Sequence, residues 1–394
     1  MSACIPLLAA VVLLLTPLAL TAQTAEETAR QAFQDDVHAS AGLTCASCHP
    51  GSSSGQLSMP RVEVARRCAK CHSDAAYMRQ FDPQVRIDQY AQYLTSVHGK
   101  RMARGDVRVA TCSDCHGGHG IRRVRDARSP VAPAHVAPTC GRCHADAARM
   151  AAFNREAKPF ADWSGSVHAE ALLKRGDSSA PTCSTCHGSH GATPPGVTEI
   201  ANVCAQCHVR EAELFRASPK KAIFDQIGQP ECLTCHGNHR IEHPMDAWVG
   251  LKDPAVCAMC HDERVKGADT ITGIESGFRE LNGSLDLAQA VLERAERAGM
   301  LVDDGWTALR ESREQLIHSR VIVHAFATKP FDDITRPGLV AARRADSVGR
   351  DALRELQTRR RGLGIATVVA LGFLATLWLK IRRVHAEQPP REGP

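Results

Sequence analysis

Sixteen of the seventeen cysteines fall into eight C-x-x-C pairs, and each pair is followed at once by a histidine. The eight are Cys45, Cys48 and His49; Cys68, Cys71 and His72; Cys112, Cys115 and His116; Cys140, Cys143 and His144; Cys183, Cys186 and His187; Cys204, Cys207 and His208; Cys232, Cys235 and His236; and Cys257, Cys260 and His261. C-x-x-C-H is the attachment signature of c-type haem: two thiols form thioethers with the haem vinyl groups, and the adjacent imidazole becomes the proximal iron ligand. Both cysteines reach the macrocycle from one turn of chain, which delivers the next residue beneath the iron. Four structural zinc cages could use the same cysteines but would not need the histidines. Only 19 of 394 residues are histidine, so its presence after all eight pairs sets zinc and disulfides aside. The expected cofactors are eight covalently bound haem c groups, each holding an iron.

An iron held this way has a second axial position. Ten of the nineteen histidines remain after the eight proximal ones and His385 near the C-terminus. That number points to bis-histidine ligation, which gives low-spin, low-potential irons suited to passing electrons rather than binding substrates. The candidate distal ligands are His38, His98, His119, His168, His190, His239 and His324. His98 and His168 precede a motif within a repeated Ser-Val-His, and His119, His190 and His239 each follow a proximal histidine by three residues. His324 shares an apolar helical stripe with Leu316 and Ile317, whereas His318 falls on the polar side with Glu311 and Glu314. His135 and His243 carry no repeat signal.

The elements that must position these groups form a repeat. The eight motifs make four doublets whose first cysteines lie 23, 28, 21 and 25 residues apart. CHGGHG from Cys115 recurs as CHGSHG from Cys186, and the fourth doublet keeps CHGNH from Cys235. The first doublet departs, with Pro50 after His49, and the fourth has no histidine upstream of its first motif; were one haem open, as in an octahaem enzyme, these are the places where it would lie. Helical stretches follow the second motifs at Asp74, Asp146 and Arg210, so each such motif is expected to open a short helix. Met78, Met150 and Leu214 hold one place in these stretches; leucine cannot bind iron, so all three are read as packing residues.

Aromatic residues make up only 4% of the chain, too few to fill an ordinary core, and haem is expected to take their place. Acidic and basic residues are interspersed, with no basic tract for nucleic acid. Residues 1–22, which include Cys4, read as a secretory signal. Leu363 to Leu379 is an uncharged apolar run long enough to cross a bilayer, with Arg359 to Arg361 before it and Lys380, Arg382 and Arg383 after it. The positive-inside rule does not decide the orientation of such a segment. Haem attachment outside the bacterial cytoplasmic membrane does: 23–361 is expected to be periplasmic and the tail cytoplasmic. The expected organisation is a signal (1–22), an octahaem domain (23–265), a helical domain (266–361), a transmembrane helix (362–380) and a tail (381–394). The fold class is mostly α with extensive irregular loops. Three helices are expected ahead of the span, with a break at Gly299, a start at Asp303 and a stop at Pro330.

From Val37 to Asp262 the doubled C-x-x-C-H pattern resembles the cytochrome c3-like multihaem family. That resemblance implies little regular structure, closely stacked haems, bis-histidine ligation and periplasmic electron transfer with quinol-linked membrane partners. The expected function is that of a membrane-anchored electron carrier between a quinol or quinol-linked complex and a periplasmic redox partner protein, held to the bilayer by its C-terminal helix. An octahaem oxidoreductase of nitrite, hydroxylamine or tetrathionate type, with one open haem, is the alternative. No C-x-x-C-K motif favours it.

Overall fold

The computed structural model describes residues 24–50 and 59–386. The expected secretory segment and the end of the tail lie outside them. Among the described residues every element is helical, with no β-strand, and long irregular connections join short helices. The chain divides into two compact units, 1–194 and 195–394.

In the first unit the haem-attachment motifs take two local forms. The first motif of a doublet opens a single helical turn, as in Cys45–Cys48, Cys112–His116 and Cys183–His187. Thr44, Thr111 and Thr182 cap these turns, and each backbone N–H is taken by the side chain three residues on: Ser47 at 3.1 Å, Asp114 at 2.7 Å and Thr185 at 3.1 Å. The inner residues of C-x-x-C thus satisfy donors that a helix start leaves unpaired. Second motifs instead close a longer helix: Cys71 lies in the last turn of Arg61–His72 and Cys143 in that of Pro133–His144. A new helix then starts behind an aspartate cap, Asp74 for Ala75–Met78 and Asp146 for Ala147–Ala151. The expectation that second motifs open helices therefore put the boundary one element too early. Met78 and Met150 are buried, as packing residues should be.

The third doublet's second motif, in the second unit, is a third form. Its helix, Val197–Cys204, stops at the first cysteine, and Cys207 stands on the turn beyond it, with its N–H on the Cys204 carbonyl at 3.2 Å. Here His208 does cap the next helix, Val209–Ala217, so in this doublet the expected boundary holds.

The second unit also carries a three-helix bundle: Ala268–Arg297, Asp303–Ile322 and Thr328–Ala386. On the first helix Ile274, Phe278, Leu281, Leu285, Ala288, Leu292 and Ala295 recur at three- and four-residue steps and meet Leu309, Leu316, Phe331 and Ala345 in one core. Glycine permits close approaches in the bundle: a Cβ on Gly349 would stand 2.7 Å from Val291 Cγ1 and 3.2 Å from the Leu292 backbone nitrogen. Gly299 ends the first helix with φ +80° and Asp303 begins the second, as expected. Pro330 does not stop a helix. It sits in the first turn of the third, where its missing N–H has no partner to lose. That helix runs unbroken into the apolar segment, so two complete helices, not three, precede the membrane-length element. An 18-residue window in it has a mean hydropathy of 2.0 with none of it buried, making it long and apolar enough to span a bilayer.

Candidate haem sites

Among the described residues, five motif histidines face a second histidine across a gap of one size. The ring centroids of His49 and His119 are 6.1 Å apart, of His72 and His38 5.9 Å, of His116 and His190 6.1 Å, of His144 and His98 6.1 Å, and of His236 and His324 6.1 Å. Direct ring contact would bring them closer. A metal–imidazole bond of about 2 Å on each side, plus roughly 1 Å from each ring centre to its nitrogen, gives about 6 Å. The residues present therefore fit an iron with two axial imidazoles. Burial, and then the facing ring, push His49, His72, His98, His116 and His236 below the ordinary histidine range. Both effects favour the neutral form that binds a metal.

The pairs follow a rule of position. His38 and His98 are the second residues of the helices Val37–Ser40 and Val97–Ala103, capped by Asp36 and Ser96, and each turns to the second motif of the doublet that follows. His119 and His190 come from loops just after a proximal histidine and face the first motif of the preceding doublet. Gly117 and Gly188 make those loops possible: with φ +89° and +79° they turn the chain away directly after His116 and His187. Because one doublet's iron site is completed by the next doublet's loop, the first unit is interlocked along the chain. His324 completes the His236 site from the bundle. It stands on a 3-10 turn, Val323–Ala325, beyond the second helix, and its Nδ1 lies 2.9 Å from the Val321 carbonyl. That turn, rather than a helical stripe, aims it, since Ile317 is exposed and Leu316 buried.

Of the remaining candidates, His168 occupies the same second helical position in Val167–Leu173 behind Ser166, and His239 follows Gly237, whose φ is +72°. His187 closes its turn with Nδ1 3.2 Å from the Thr193 carbonyl, and His208 caps Val209–Ala217. His135, His243 and His318 are exposed. The first doublet, where the octahaem-enzyme alternative would place an open iron, has both motif histidines facing partners.

Sequence reasoning missed Asp36. Its carboxylate is 1% exposed; Oδ1 lies 2.9 Å from His38 Nδ1, and Oδ2 accepts the Ile121 N–H at 2.8 Å. A carboxylate behind a metal-binding imidazole fixes which ring nitrogen carries the proton and makes the other more basic. Its aspartate-Val-His setting was legible, but nothing in sequence separates a cap from a buried anion.

None of the sixteen motif cysteines is tied up in a disulfide. Their settings are nevertheless not uniform, as eight copies of one motif would suggest. Cys45, Cys207 and Cys260 are exposed, whereas the others, Cys71 and Cys143 among them, are half-buried. Cys207 owes its exposure to the turn beyond the end of its helix, while Cys71 and Cys143 are held in helical last turns. The Arg149 guanidinium donates to Cys143 Sγ at 3.0 Å from the helix that follows.

Neighbouring motifs also touch through sulfur. The thiols of Cys68 and Cys112, of Cys140 and Cys183, and of Cys204 and Cys232 share hydrogen bonds, which push Cys112, Cys183 and Cys204 down and Cys68, Cys140 and Cys232 up. Second motifs thus abut the first motif of the next doublet.

Residues 37–144 and 176–263 match the cytochrome c3 family, and these two stretches contain all eight C-x-x-C-H motifs. The chain is a multihaem c-type cytochrome. Covalently bound haem c and electron transfer come with that assignment. The bundle and apolar helix of the cytochrome lie outside the matched stretches, and neither a curated protein nor a solved structure matches the chain.

Proposed function

We propose that the cytochrome is a membrane-anchored electron relay with eight haem c groups. It would take electrons from a quinol or quinol-linked membrane complex and pass them to a periplasmic or extracellular redox protein. The observation that carries this reading is the set of five facing histidine pairs at 5.9 to 6.1 Å. When bound, haem c supplies an iron that cycles between ferric and ferrous states. The paired imidazoles would hold the iron from both sides, leaving no position for a substrate. The sulfur contacts bring consecutive doublets into succession, which suits short transfer steps. The cysteines of each motif would tether the macrocycle, His49, His72, His116, His144, His187, His208, His236 and His261 would act as proximal ligands, and His38, His98, His119, His190 and His324 would supply the distal ones at five of the eight sites, with His168 and His239 as the remaining candidates. Leu363 to Leu379 holds the relay at the bacterial cytoplasmic membrane with its haem region on the periplasmic side.

The test is a pyridine haemochrome count with intact mass, followed by reduction of the full-length protein in proteoliposomes by a reduced quinone alone and by one supplied with quinol-oxidising membranes. Eight haems reduced through either route support the reading. Fewer than eight, or no reduction by either route while dithionite reduces all, refutes it.

A further inference from the structure

The second motif of the fourth doublet departs from the positional rule. Every histidine of the chain lies among the described residues, and none of their rings faces His261 at the spacing seen for the five pairs. The elements that supply such a partner elsewhere are nevertheless present. Ahead of the second, third and fourth doublets a new helix begins on a serine: Ser96 before Val97–Ala103, Ser166 before Val167–Leu173, and Ser218 before Pro219–Ile227; Ser96 and Ser218 also close the helix before, whereas Gly165 closes the one before Ser166. Ser96 and Ser218 do the same double duty. Each hydroxyl donates to the carbonyl three residues back, Tyr93 at 2.6 Å and Phe215 at 2.7 Å, and accepts an N–H from the first turn of the new helix. Ser96-Val97-His98 and Ser166-Val167-His168 therefore correspond to Ser218-Pro219-Lys220. In the fourth doublet the second helical residue is a lysine. Proline at the first position of that helix preserves the geometry, since it needs no partner there.

We propose that Lys220 is the distal iron ligand of the haem carried by Cys257, Cys260 and His261, giving the relay one amine–imidazole site among bis-histidine ones. Lys220 Nζ rests 3.9 Å from the Phe326 ring centre, beside the His324 turn, and Phe326 packs on Phe215 just before Ser218. Its neighbour Lys221 is tied instead to Asp225 at 2.5 Å and Glu231 at 3.4 Å. One lysine of the pair is thus held by carboxylates, and the other stands over an aromatic ring with no carboxylate paired to it among the described residues. His261 is braced from behind. Its Nδ1 is buried against the start of the Ala268–Arg297 helix, where a Cβ on Gly267 would meet His261 Cε1 at 3.7 Å, and the Lys266 backbone lies near without completing a hydrogen bond. On coordination the nitrogen lone pair forms the bond to iron and the ammonium proton leaves to water; no electron is exchanged. A primary amine is a harder and more basic donor than imidazole, so this iron differs in potential from its neighbours.

The inference rests on the haem assignment above, and the test separates the two. Haem is counted by pyridine haemochrome in wild type, Lys220→Ala and Lys220→His, and each protein is then examined by electron paramagnetic resonance, near-infrared magnetic circular dichroism and cyanide titration. Expected are eight low-spin haems in the wild type with one amine–imidazole signature, and one high-spin haem in eight for Lys220→Ala, taking up one cyanide per chain. In Lys220→His that signature is replaced by a bis-imidazole one with no high-spin signal. If the Ala variant loads fewer haems, the exchange of signatures in Lys220→His decides. A wild type with eight haems all bis-imidazole, one that already carries a high-spin haem, or an Ala variant that stays entirely low-spin overturns the lysine assignment while leaving the relay intact. A wild type with fewer than eight haems overturns the relay reading itself.

Discussion

Replacing Asp36 with asparagine removes one buried negative charge from behind His38 while keeping the shape of the side chain. The carboxylate stands 2.9 Å from His38 Nδ1, and the centroids of His38 and His72 are 5.9 Å apart. The point midway between the rings is therefore roughly 6.5 Å from the charge, and one unit charge there is worth about 2.5 kcal/mol at an effective dielectric of about 20. The ferric iron carries one more positive charge than the ferrous, so the carboxylate stabilises the oxidised form. Its loss should raise one haem's potential by ~100 mV, taking 59 mV per tenfold in a one-electron couple, or roughly half that if solvent near the half-buried His38 doubles the dielectric. Asparagine cannot accept both the His38 ring N–H and the Ile121 N–H as a carboxylate does, so a stability loss of about 1–3 kcal/mol accompanies the shift. The assay is a spectroelectrochemical titration of wild type and Asp36→Asn, each with its haem count verified. Electron paramagnetic resonance identifies the haem that moves, because the His38 and His72 rings are 83° apart whereas those of His116 and His190 are within 6° of parallel. If every haem is attached and no potential moves by more than about 20 mV, the carboxylate does not act on that iron and the reasoning fails.

Three further outcomes are expected. Removing His324 in a His324→Ala variant should turn the His236 haem high-spin and cyanide-reactive while leaving the other haems low-spin; an unchanged spin state would show that another residue fills the position. Gly349→Val should destabilise the bundle by about 1–3 kcal/mol, because even a Cβ there stands 2.7 Å from Val291, and thermal unfolding of the haem-loaded protein reads this directly. Burial pushes the Asp246 carboxyl up, but hydrogen bonds from Arg320 at 2.8 and 2.9 Å and from Asn282 at 2.9 Å outweigh it and hold it below the usual carboxylate range. A folded pKa below the unfolded one gives stability that is present above about pH 4 and lost as pH falls further. The stability gap between wild type and Asp246→Asn should therefore close under acid; a gap that persists to low pH would refute it.

The attachment motifs were legible in sequence, because thioether formation and proximal ligation would depend on residues within one turn of chain: nothing distant is needed to put His49 next to Cys48. The helical class and the membrane-length segment were legible for a similar reason, since apolar periodicity and an uncharged run report on local surface. Five of the seven candidate distal histidines face a motif histidine in the structure, and which one each faces was not legible. His119 faces His49 rather than its close neighbour His116, because Gly117 turns the chain away and the contact is made from the next doublet. His324 was placed on a stripe that the structure does not use, as a turn beyond the helix end aims it instead. The helical setting of Cys71 and Cys143, against the turn that carries Cys207, and the role of Pro330 escaped for one reason. A helix end is set by which backbone donors and acceptors find partners, and those partners lie outside the window that periodicity samples. Residue type and spacing therefore determined what this protein binds. Which side chain stands opposite which, and the burial of Asp36 behind His38, were decided only when packing closed the chain around spaces of one fixed width, since a gap about 6 Å across can be set only by two segments held by everything else they touch.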